Sequence, residues 1–212
     1  MDLVVHYECP YAERVLLVKS LKEIECNEIE VDLFHKPDWY LTEVPTGKVP
    51  GLRVRGPKKY EWLHESWQIC EYLDSFPGPS LYPRSASSTP DPLIKALTDL
   101  QIKTQIEPFC DSVYKFLNTG KGLKSTKTFL QSLNNYYFKG GKFYMNQILK
   151  SNELTIADIM LFPFIERVWA LKNTVFSSLE LDNVWSWFLN LSKQNWTKVS
   201  RANPGALRVY NP

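Results

Sequence analysis

The chain has 212 residues, of which 44% are hydrophobic and 14% aromatic, so it can bury one large core or two small ones. Charged residues make up 23%, which argues against disorder, and the net charge of +2 is too small to predict binding to nucleic acid or to a membrane surface. No apolar run reaches the ~20 residues that a membrane helix needs.

The charge is distributed unevenly along the chain. Residues 1–80 contain 9 Lys and Arg against 14 Asp and Glu, whereas residues 81–212 contain 16 against 9. An acidic front half and a basic rear half can attract each other between subunits. Ordinary variation of surface charge is the simpler explanation, and the sequence leaves both open.

The first 30 residues lack the pattern of a secretion signal, because their apolar run is short and acidic residues come early. A cytoplasmic location with free thiols is therefore expected. Cys70 lies on an apolar helical face and is expected in the core, while Cys26 and Cys110 have no informative context. The three histidines show no ligand spacing, so no metal site is predicted.

The first part of the chain predicts a strand, a helix and a second strand. A short apolar run indicates a buried strand over about Asp2–Tyr7, and apolar residues at helical spacing follow over Pro10–Ile24. Residues Asn27–Leu33 alternate between apolar and polar, which is typical of a half-buried strand. A unit of this length joins parallel strands.

The next part predicts a short helix, a hairpin and another helix. The helix covers Asp38–Val44, and the hairpin joins Gly51–Arg55 to Tyr60–Leu63 across a Gly-Pro-Lys turn. A further helix opens at Glu65-Ser66. The order β-α-β-α-β-β-α is the thioredoxin-like plan, in which Pro50, directly before the third strand, is expected in the cis form.

A stretch rich in proline and serine, residues 79–92, predicts a linker that ends the first domain at residue 78. Residues 93–212 are expected to form an all-helical domain, so the fold class is α+β with two domains. Helical spacing, capping residues and breakers predict four main helices: Leu93–Leu117 with a kink at Pro108, Lys124–Tyr137, Ile156–Leu171 bent at Pro163, and Leu181–Gln194.

The third of these helices carries a start signal. Thr155 and Asp158 have the spacing of a capping box, with Thr155 as the N-cap and Asp158 three residues on. Leu154 and Ile159 are placed to form a hydrophobic staple across it. Asp158 is therefore interpreted as a structural residue.

Cys9 lies where the first strand gives way to the first helix, and Pro10 suits the first helical turn. A thiol in this place faces unpaired backbone N–H groups and the positive end of the helix dipole, which favour the thiolate. We expect Cys9 to be the reactive atom; an inert buried cysteine is an equally good reading of this context alone. Because residue 12 is alanine, an outside thiol must resolve a mixed disulfide on Cys9.

Several segments resemble the omega class of cytosolic glutathione transferases. They are Cys9-Pro10-Tyr11-Ala12-Glu13-Arg14, Lys36-Pro37-Asp38-Trp39, Lys48-Val49-Pro50, Glu65-Ser66, and Phe162-Pro163-Phe164-Ile165-Glu166-Arg167. The resemblance covers nearly the whole chain. Members of the class usually have about twenty more residues before the first strand, and often Trp where Phe164 stands, so acceptor preference is expected to differ.

The resemblance implies a role for each of a set of residues. Cys9 is the nucleophile, and the glutathione site is formed by Tyr11, Leu33, Lys36, Val49, Pro50, Glu65 and Ser66. Lys36 would meet the glycyl carboxylate, Glu65 the α-ammonium, and Ser66 the γ-glutamyl carboxylate. Taken one at a time, the last three are more simply explained without a ligand: Lys36 as a solvated surface charge, Glu65 as an acid in the first turn of a helix, and Ser66 as an N-cap. An acceptor site between the domains would be lined by Tyr11, Phe109, Phe164 and Arg167, and Arg14 is interpreted as a structural charge.

The implied function is a glutathione-dependent thiol transferase that reduces small disulfides and dehydroascorbate-like substrates, with glutathione as co-substrate and no metal. A cytoplasmic homodimer with a role in detoxification is expected from the family. Two alternatives remain open: a conventional glutathione conjugase, and a non-catalytic protein of the same fold that serves as an interaction module or a channel-like relative.

Overall fold

The computed structural model describes residues 1–44, 46–83 and 90–198. Residues 84–89 of the expected linker and the tail 199–212 lie outside the described residues. The chain divides into two compact units. The first comprises Met1–Pro79 and the end of the described tail, residues 195–198, and the second comprises residues 80–194.

The described part of the first unit contains a four-stranded mixed sheet, ordered β2-β1-β3-β4. Its elements are β1 (Asp2–Val5), α1 (Pro10–Leu21), β2 (Asn27–Glu30), α2 (Asp38–Glu43), β3 (Gly51–Arg55), β4 (Tyr60–His64) and α3 (Ser66–Asp74). Strands β1 and β2 are parallel, and β3 runs antiparallel to both β1 and β4. The thioredoxin-like fold predicted for this part of the chain is thereby confirmed.

Helix α1 ends three residues earlier than its apolar pattern predicts, at Leu21. Its C-cap, Lys22, turns inward, and Lys22 Nζ donates to the carbonyl oxygens of Asp74, at 2.6 Å, and Phe76, at 2.9 Å. The same ammonium lies 2.9 Å from the Asp74 carboxylate. Lysine is a favourable partner for the free carbonyls at the end of a helix. The side chain therefore ties the end of α1 to the end of α3.

The second unit is helical. It contains α4 (Pro92–Gln101), α5 (Glu107–Thr119), α6 (Leu123–Ser132), α7 (Asn146–Leu149), α8 (Ile156–Ala170) and α9 (Asp182–Ser192), with π-helical turns at Ile102–Ile106 and Leu133–Tyr137. The short helix α7 was not predicted. In the described ranges, no helix has both the length and the apolar character required to cross a membrane.

A 3₁₀ turn, Asn195–Thr197, follows α9 but groups with the first unit, where it packs against α1. The sequence-based division placed all residues from 93 onward in the helical domain. Thr197 is fully buried in its new surroundings. The segment was read as an irregular tail because three residues are too few to show helical periodicity.

The helix predicted over Leu93–Leu117 is divided in the structure. Helices α4 and α5 are joined by the π-helical turn Ile102–Ile106, which ends two residues before Pro108. Proline has no N–H to donate, and its ring crowds the carbonyl four residues back. The wider π-helical turn directly before Pro108 accommodates both the missing hydrogen bond and the bulk of the ring. Pro163, in contrast, lies inside α8.

Helix α8 is the buried axis of the second unit, and its start confirms the predicted capping box. Asp158 Oδ2 accepts hydrogen bonds from the backbone N–H and the hydroxyl of Thr155, both at 3.0 Å. Oδ1 accepts from the backbone N–H of Tyr144, at 2.8 Å, and from Trp187 Nε1, at 2.9 Å. Complete burial raises the pKa of this carboxyl, although the four donors oppose the shift. One side chain thus joins three separate segments.

Candidate active site

Cys9 forms the junction between β1 and α1. With φ −78° and ψ 120° it is the extended N-cap of α1, and its carbonyl accepts the N–H of Glu13 at 3.0 Å. The Cys9 N–H donates to the carbonyl of His6 at 2.9 Å, which closes a tight turn after the strand. The Cys9 side chain makes no capping hydrogen bond. The thiol at this helix N-terminus is partly exposed.

That thiol faces the loop before β3. The Val49-Pro50 peptide bond is cis, as predicted, and Cys9 Sγ lies 3.8 Å from the carbonyl oxygen of Val49, to which it donates. Cys9 and Leu33 both pack, partly buried, against one apolar cluster of the first unit, formed by Val4, Val31, Tyr40, Val44 and Val49. The structure thus brings together Cys9, Leu33 and the Val49-Pro50 loop.

The same loop is held from its inner side by Tyr40, a residue that the sequence did not single out. Tyr40 is fully buried, and its hydroxyl donates to the carbonyl of Lys48 at 2.6 Å. Burial, and secondarily the negative charge of a Cys9 thiolate, raise the pKa of Tyr40 to about 12. Its phenol is consequently neutral at physiological pH.

Ser66, the first residue of α3, is joined to α1 by a buried arginine. Arg14 Nη1 donates to Ser66 Oγ at 3.1 Å, and the Arg14 guanidinium lies 5.0 Å from the centre of the Tyr11 ring. Arg14 is 1% exposed. Two candidate segments, the start of α1 and the start of α3, therefore meet at one cation, to which the sequence analysis assigned a purely structural role. The sequence did contain a signal for this contact: Arg14 lies within the apolar run of α1, and a buried arginine requires a partner.

Glu65, the N-cap of α3, has an unusual backbone conformation. Its φ of 81° lies in the left-handed region that favours glycine, and such a conformation costs about 1–3 kcal/mol in other residues. The Glu65 carbonyl accepts the N–H of Ile69 at 3.1 Å, and its side chain is exposed. The turn thus leaves the carboxylate open to solvent beside Ser66.

Lys36 lies in the turn after β2 and is half-buried. Its ammonium is close to the backbone of Gly47, since a β-carbon placed on that glycine would lie 3.8 Å from Lys36 Nζ. In the described ranges, neither Lys36 nor the Glu65 side chain makes a hydrogen bond or ion pair with the other candidate residues. Their binding roles remain predictions.

The three acceptor-site candidates of the helical unit are buried. Phe109, Phe164 and Arg167 are 2%, 0% and 1% exposed. Phe109 stacks on Phe129 with ring centres 4.6 Å apart, and Arg167 Nη1 donates to the carbonyl of Pro163 at 2.8 Å. These are the contacts of core side chains, and an acceptor role for them remains a prediction that rests on the resemblance.

The other cysteines differ from Cys9 in environment. Cys70 is fully buried, as predicted, and burial raises the pKa of its thiol. Cys110 is also fully buried, and Cys26 is half-buried with a pKa likewise raised by burial. Among the described residues, no group of three or more His, Cys, Asp or Glu side chains is placed to hold a metal ion.

Comparison with known proteins gives a consistent result. The family model "Glutathione S-transferase, N-terminal domain" matches residues 8–75. The chain is 31% identical to Glutathione S-transferase L3 of Arabidopsis thaliana over 95% of this chain and 82% of that protein. In fold it is similar to glutathione transferase Omega 2C from Trametes versicolor, with a TM-score of 0.78 at 20% identity over 99% of this chain and 96% of that one.

A thioredoxin-like unit with a cysteine facing the Val49-Pro50 cis bond, followed by a helical unit, agrees with these matches. The chain belongs to the glutathione transferase family. Within that family it is omega-like: it is also 29% identical to Glutathione S-transferase omega-1 of Sus scrofa over 77% of this chain and 65% of that protein.

Proposed function

We propose that this protein is a glutathione-dependent thiol transferase in which Cys9 is the nucleophile. The observation that carries the proposal is the position of Cys9: at the N-terminus of α1, not used for capping, and directed at the Val49-Pro50 loop. Helix N-termini stabilise thiolates. A serine or tyrosine at this place would activate the thiol of glutathione, whereas a cysteine can form a bond to its sulfur.

The reaction proceeds in two exchanges. The Cys9 thiolate attacks the glutathionyl sulfur of a mixed disulfide; the old S–S bond breaks, the substrate leaves as a thiolate, and Cys9 becomes glutathionylated. The thiolate of a second glutathione then attacks that glutathionyl sulfur, which releases Cys9 and oxidised glutathione. The proton from the second glutathione ends on the substrate thiol. Dehydroascorbate-like compounds are two-electron acceptors for the same pair of glutathione molecules.

The site residues suit the parts of glutathione. The backbone of Val49 pairs with the cysteinyl part as an added strand would. Ser66, at the N-terminus of α3, binds the γ-glutamyl carboxylate, and Arg14, bonded to Ser66 Oγ, adds positive charge behind it. Glu65 takes the α-ammonium and Lys36 the glycyl carboxylate. Tyr11, Leu33 and Pro50 are assigned to the apolar side of the site on the family pattern, and Leu33 packs against the same apolar cluster as Cys9.

The choice of substrate tests this proposal. We expect rapid glutathione-dependent reduction of hydroxyethyl disulfide and weak conjugation of an aryl halide, because conjugation requires glutathione itself as the free thiolate. The two rates are measured at the same glutathione concentration. Faster conjugation than disulfide reduction would favour a conventional conjugase. Absence of both activities, with Cys9 titrating as an ordinary thiol in alkylation, would favour the non-catalytic alternative.

We further infer a cytoplasmic homodimer with a detoxifying role. Helix α4 presents an apolar stripe in which Leu93 is 67% and Leu100 is 53% exposed, two helical turns apart. We assign a second copy of the chain to this stripe, and the excess of acidic residues in the front part and of basic residues in the rear part of each chain is compatible with that association.

Replacing Leu100 with glutamate is expected to convert the dimer into a monomer, since it places a charge in the apolar contact. Light scattering after size-exclusion chromatography measures the mass. The matched control is Leu189→Glu on α9, where the leucine is 41% exposed and the dimer should persist. A dimer that survives Leu93→Glu and Leu100→Glu together would show that this stripe is not the interface.

A further inference from the structure

Tyr40 connects α2 to the loop that faces Cys9. The backbone of Tyr40 is fixed in the helix, where its carbonyl accepts the N–H of Val44 at 2.8 Å. Its ring is packed edge-on against two indoles, with centroid distances of 5.5 Å to Trp39 and 5.9 Å to Trp62. The hydroxyl at the far end of this fixed ring reaches the carbonyl oxygen of Lys48 at 2.6 Å.

The hydroxyl is also close to the residue that follows the cis bond. A β-carbon added to Gly51 would lie 2.7 Å from Tyr40 Oη, a distance that real side chains do not tolerate. The Tyr40 hydroxyl therefore lies against both ends of the segment Lys48–Gly51. This segment contains Val49, whose carbonyl oxygen is 3.8 Å from Cys9 Sγ.

The peptide plane transmits this contact to Val49. The C=O of Lys48 and the N–H of Val49 belong to one rigid trans peptide unit and point in opposite directions. A buried phenol that holds the C=O on the inner side therefore fixes the N–H on the outer side. None of the described residues accepts a hydrogen bond from the Val49 N–H, so within the described protein this donor is unpaired.

We propose that Tyr40 is a positioning residue for glutathione: through its hydroxyl it sets the orientation of the Lys48–Val49 peptide, so that the Val49 N–H is presented to the cysteinyl part of the tripeptide. This inference rests on the proposed glutathione site and names the residue that orders its backbone. The ring alone would fill the apolar cluster equally well, so the hydroxyl is the informative group.

The test uses Tyr40→Phe, which retains the ring and removes only the donor. On a Cys9→Ala background, where no disulfide can form on residue 9, titration calorimetry measures the Kd of reduced glutathione. We expect Kd to rise about 3- to 10-fold, the effect of one net hydrogen bond.

The matched control is Tyr144→Phe, which removes another buried tyrosine hydroxyl, one that donates to Gln101 at 3.2 Å in the helical unit. It should leave Kd unchanged. If Tyr40→Phe lowers Tm as Tyr144→Phe does and also leaves Kd unchanged, Tyr40 is only a packing residue and the inference is wrong.

A second perturbation approaches the same contact from the other side. Gly51→Ala should displace the Tyr40 hydroxyl and raise Kd in the same way, whereas in the Tyr40→Phe protein the added methyl group no longer meets an oxygen. The double variant should therefore bind about as weakly as Tyr40→Phe alone. Additive losses would contradict the inference. A parent protein that fails to bind glutathione at all would instead refute the proposed function.

Discussion

Replacing Cys9 with alanine is expected to lower kcat/KM for glutathione-dependent reduction of hydroxyethyl disulfide by about a thousandfold or more, as loss of a nucleophile does in other enzymes. Residue 12 is alanine, and Cys70 and Cys110 are fully buried, so no nearby thiol can take over. Intact mass spectrometry after incubation with oxidised glutathione should show one glutathionyl adduct on the parent protein and none at residue 9 in the variant.

Cys26→Ala is the matched control for this experiment. Cys26 is a half-buried cysteine whose pKa is raised by burial, so it is a poor nucleophile at neutral pH. Its replacement should preserve both the activity and the adduct. If disulfide reduction persists in Cys9→Ala but is lost in Cys26→Ala, then Cys26 is the nucleophile and our assignment of that role to Cys9 is wrong.

Replacing Asp158 with alanine should have the largest effect on stability, a loss of about 4 kcal/mol or more. The change leaves four buried donors without an acceptor, and each such donor costs about 1–3 kcal/mol. Because domains are typically stable by only about 5–15 kcal/mol, much of the protein should be unfolded or aggregated on expression. Urea unfolding followed by tryptophan fluorescence measures the difference.

Asp99→Ala is a suitable control, because that carboxylate also accepts two hydrogen bonds, from Tyr82 Oη and Lys95 Nζ, both at 2.7 Å, but is 28% exposed. It should cost no more than about 1 kcal/mol. Asp158→Asn should fall between the two, since one amide oxygen can replace only one carboxylate oxygen. Equal losses in the free energy of unfolding for Asp158→Ala and Asp99→Ala would show that the buried hydrogen bonds to Asp158 stabilise the protein no more than the partly exposed ones to Asp99.

The architecture of the first unit was predictable from the sequence because its signals are local. The alternation over Asn27–Leu33, the Gly-Pro-Lys turn before Tyr60, and the apolar spacing of α1 each report secondary structure without knowledge of the partner. The ends of the strands were predicted less well: β2 ends at Glu30, whereas the alternation predicted an end at Leu33. The cis bond at Pro50 was predictable only by resemblance, since roughly 5% of X-Pro bonds are cis.

What the sequence did not reveal depends on distant contacts. Arg14 and Tyr40 stand in apolar runs and have no motif of their own; their importance appears only when Ser66 and Lys48, far along the chain or on another element, lie within hydrogen-bonding distance. The division of the predicted helix Leu93–Leu117 by a π-helical turn was likewise invisible, because apolar spacing continues across a single widened turn.

The return of residues 195–198 to the first unit has a consequence for biosynthesis. The surface of α1 that receives the Asn195–Thr197 turn remains uncovered until the ribosome has translated residues 195–197. The first unit therefore cannot be completed from its own N-terminal segment alone, although domains usually fold in order of synthesis. A nascent chain interrupted within the helical unit would carry Cys9 on an unfinished scaffold.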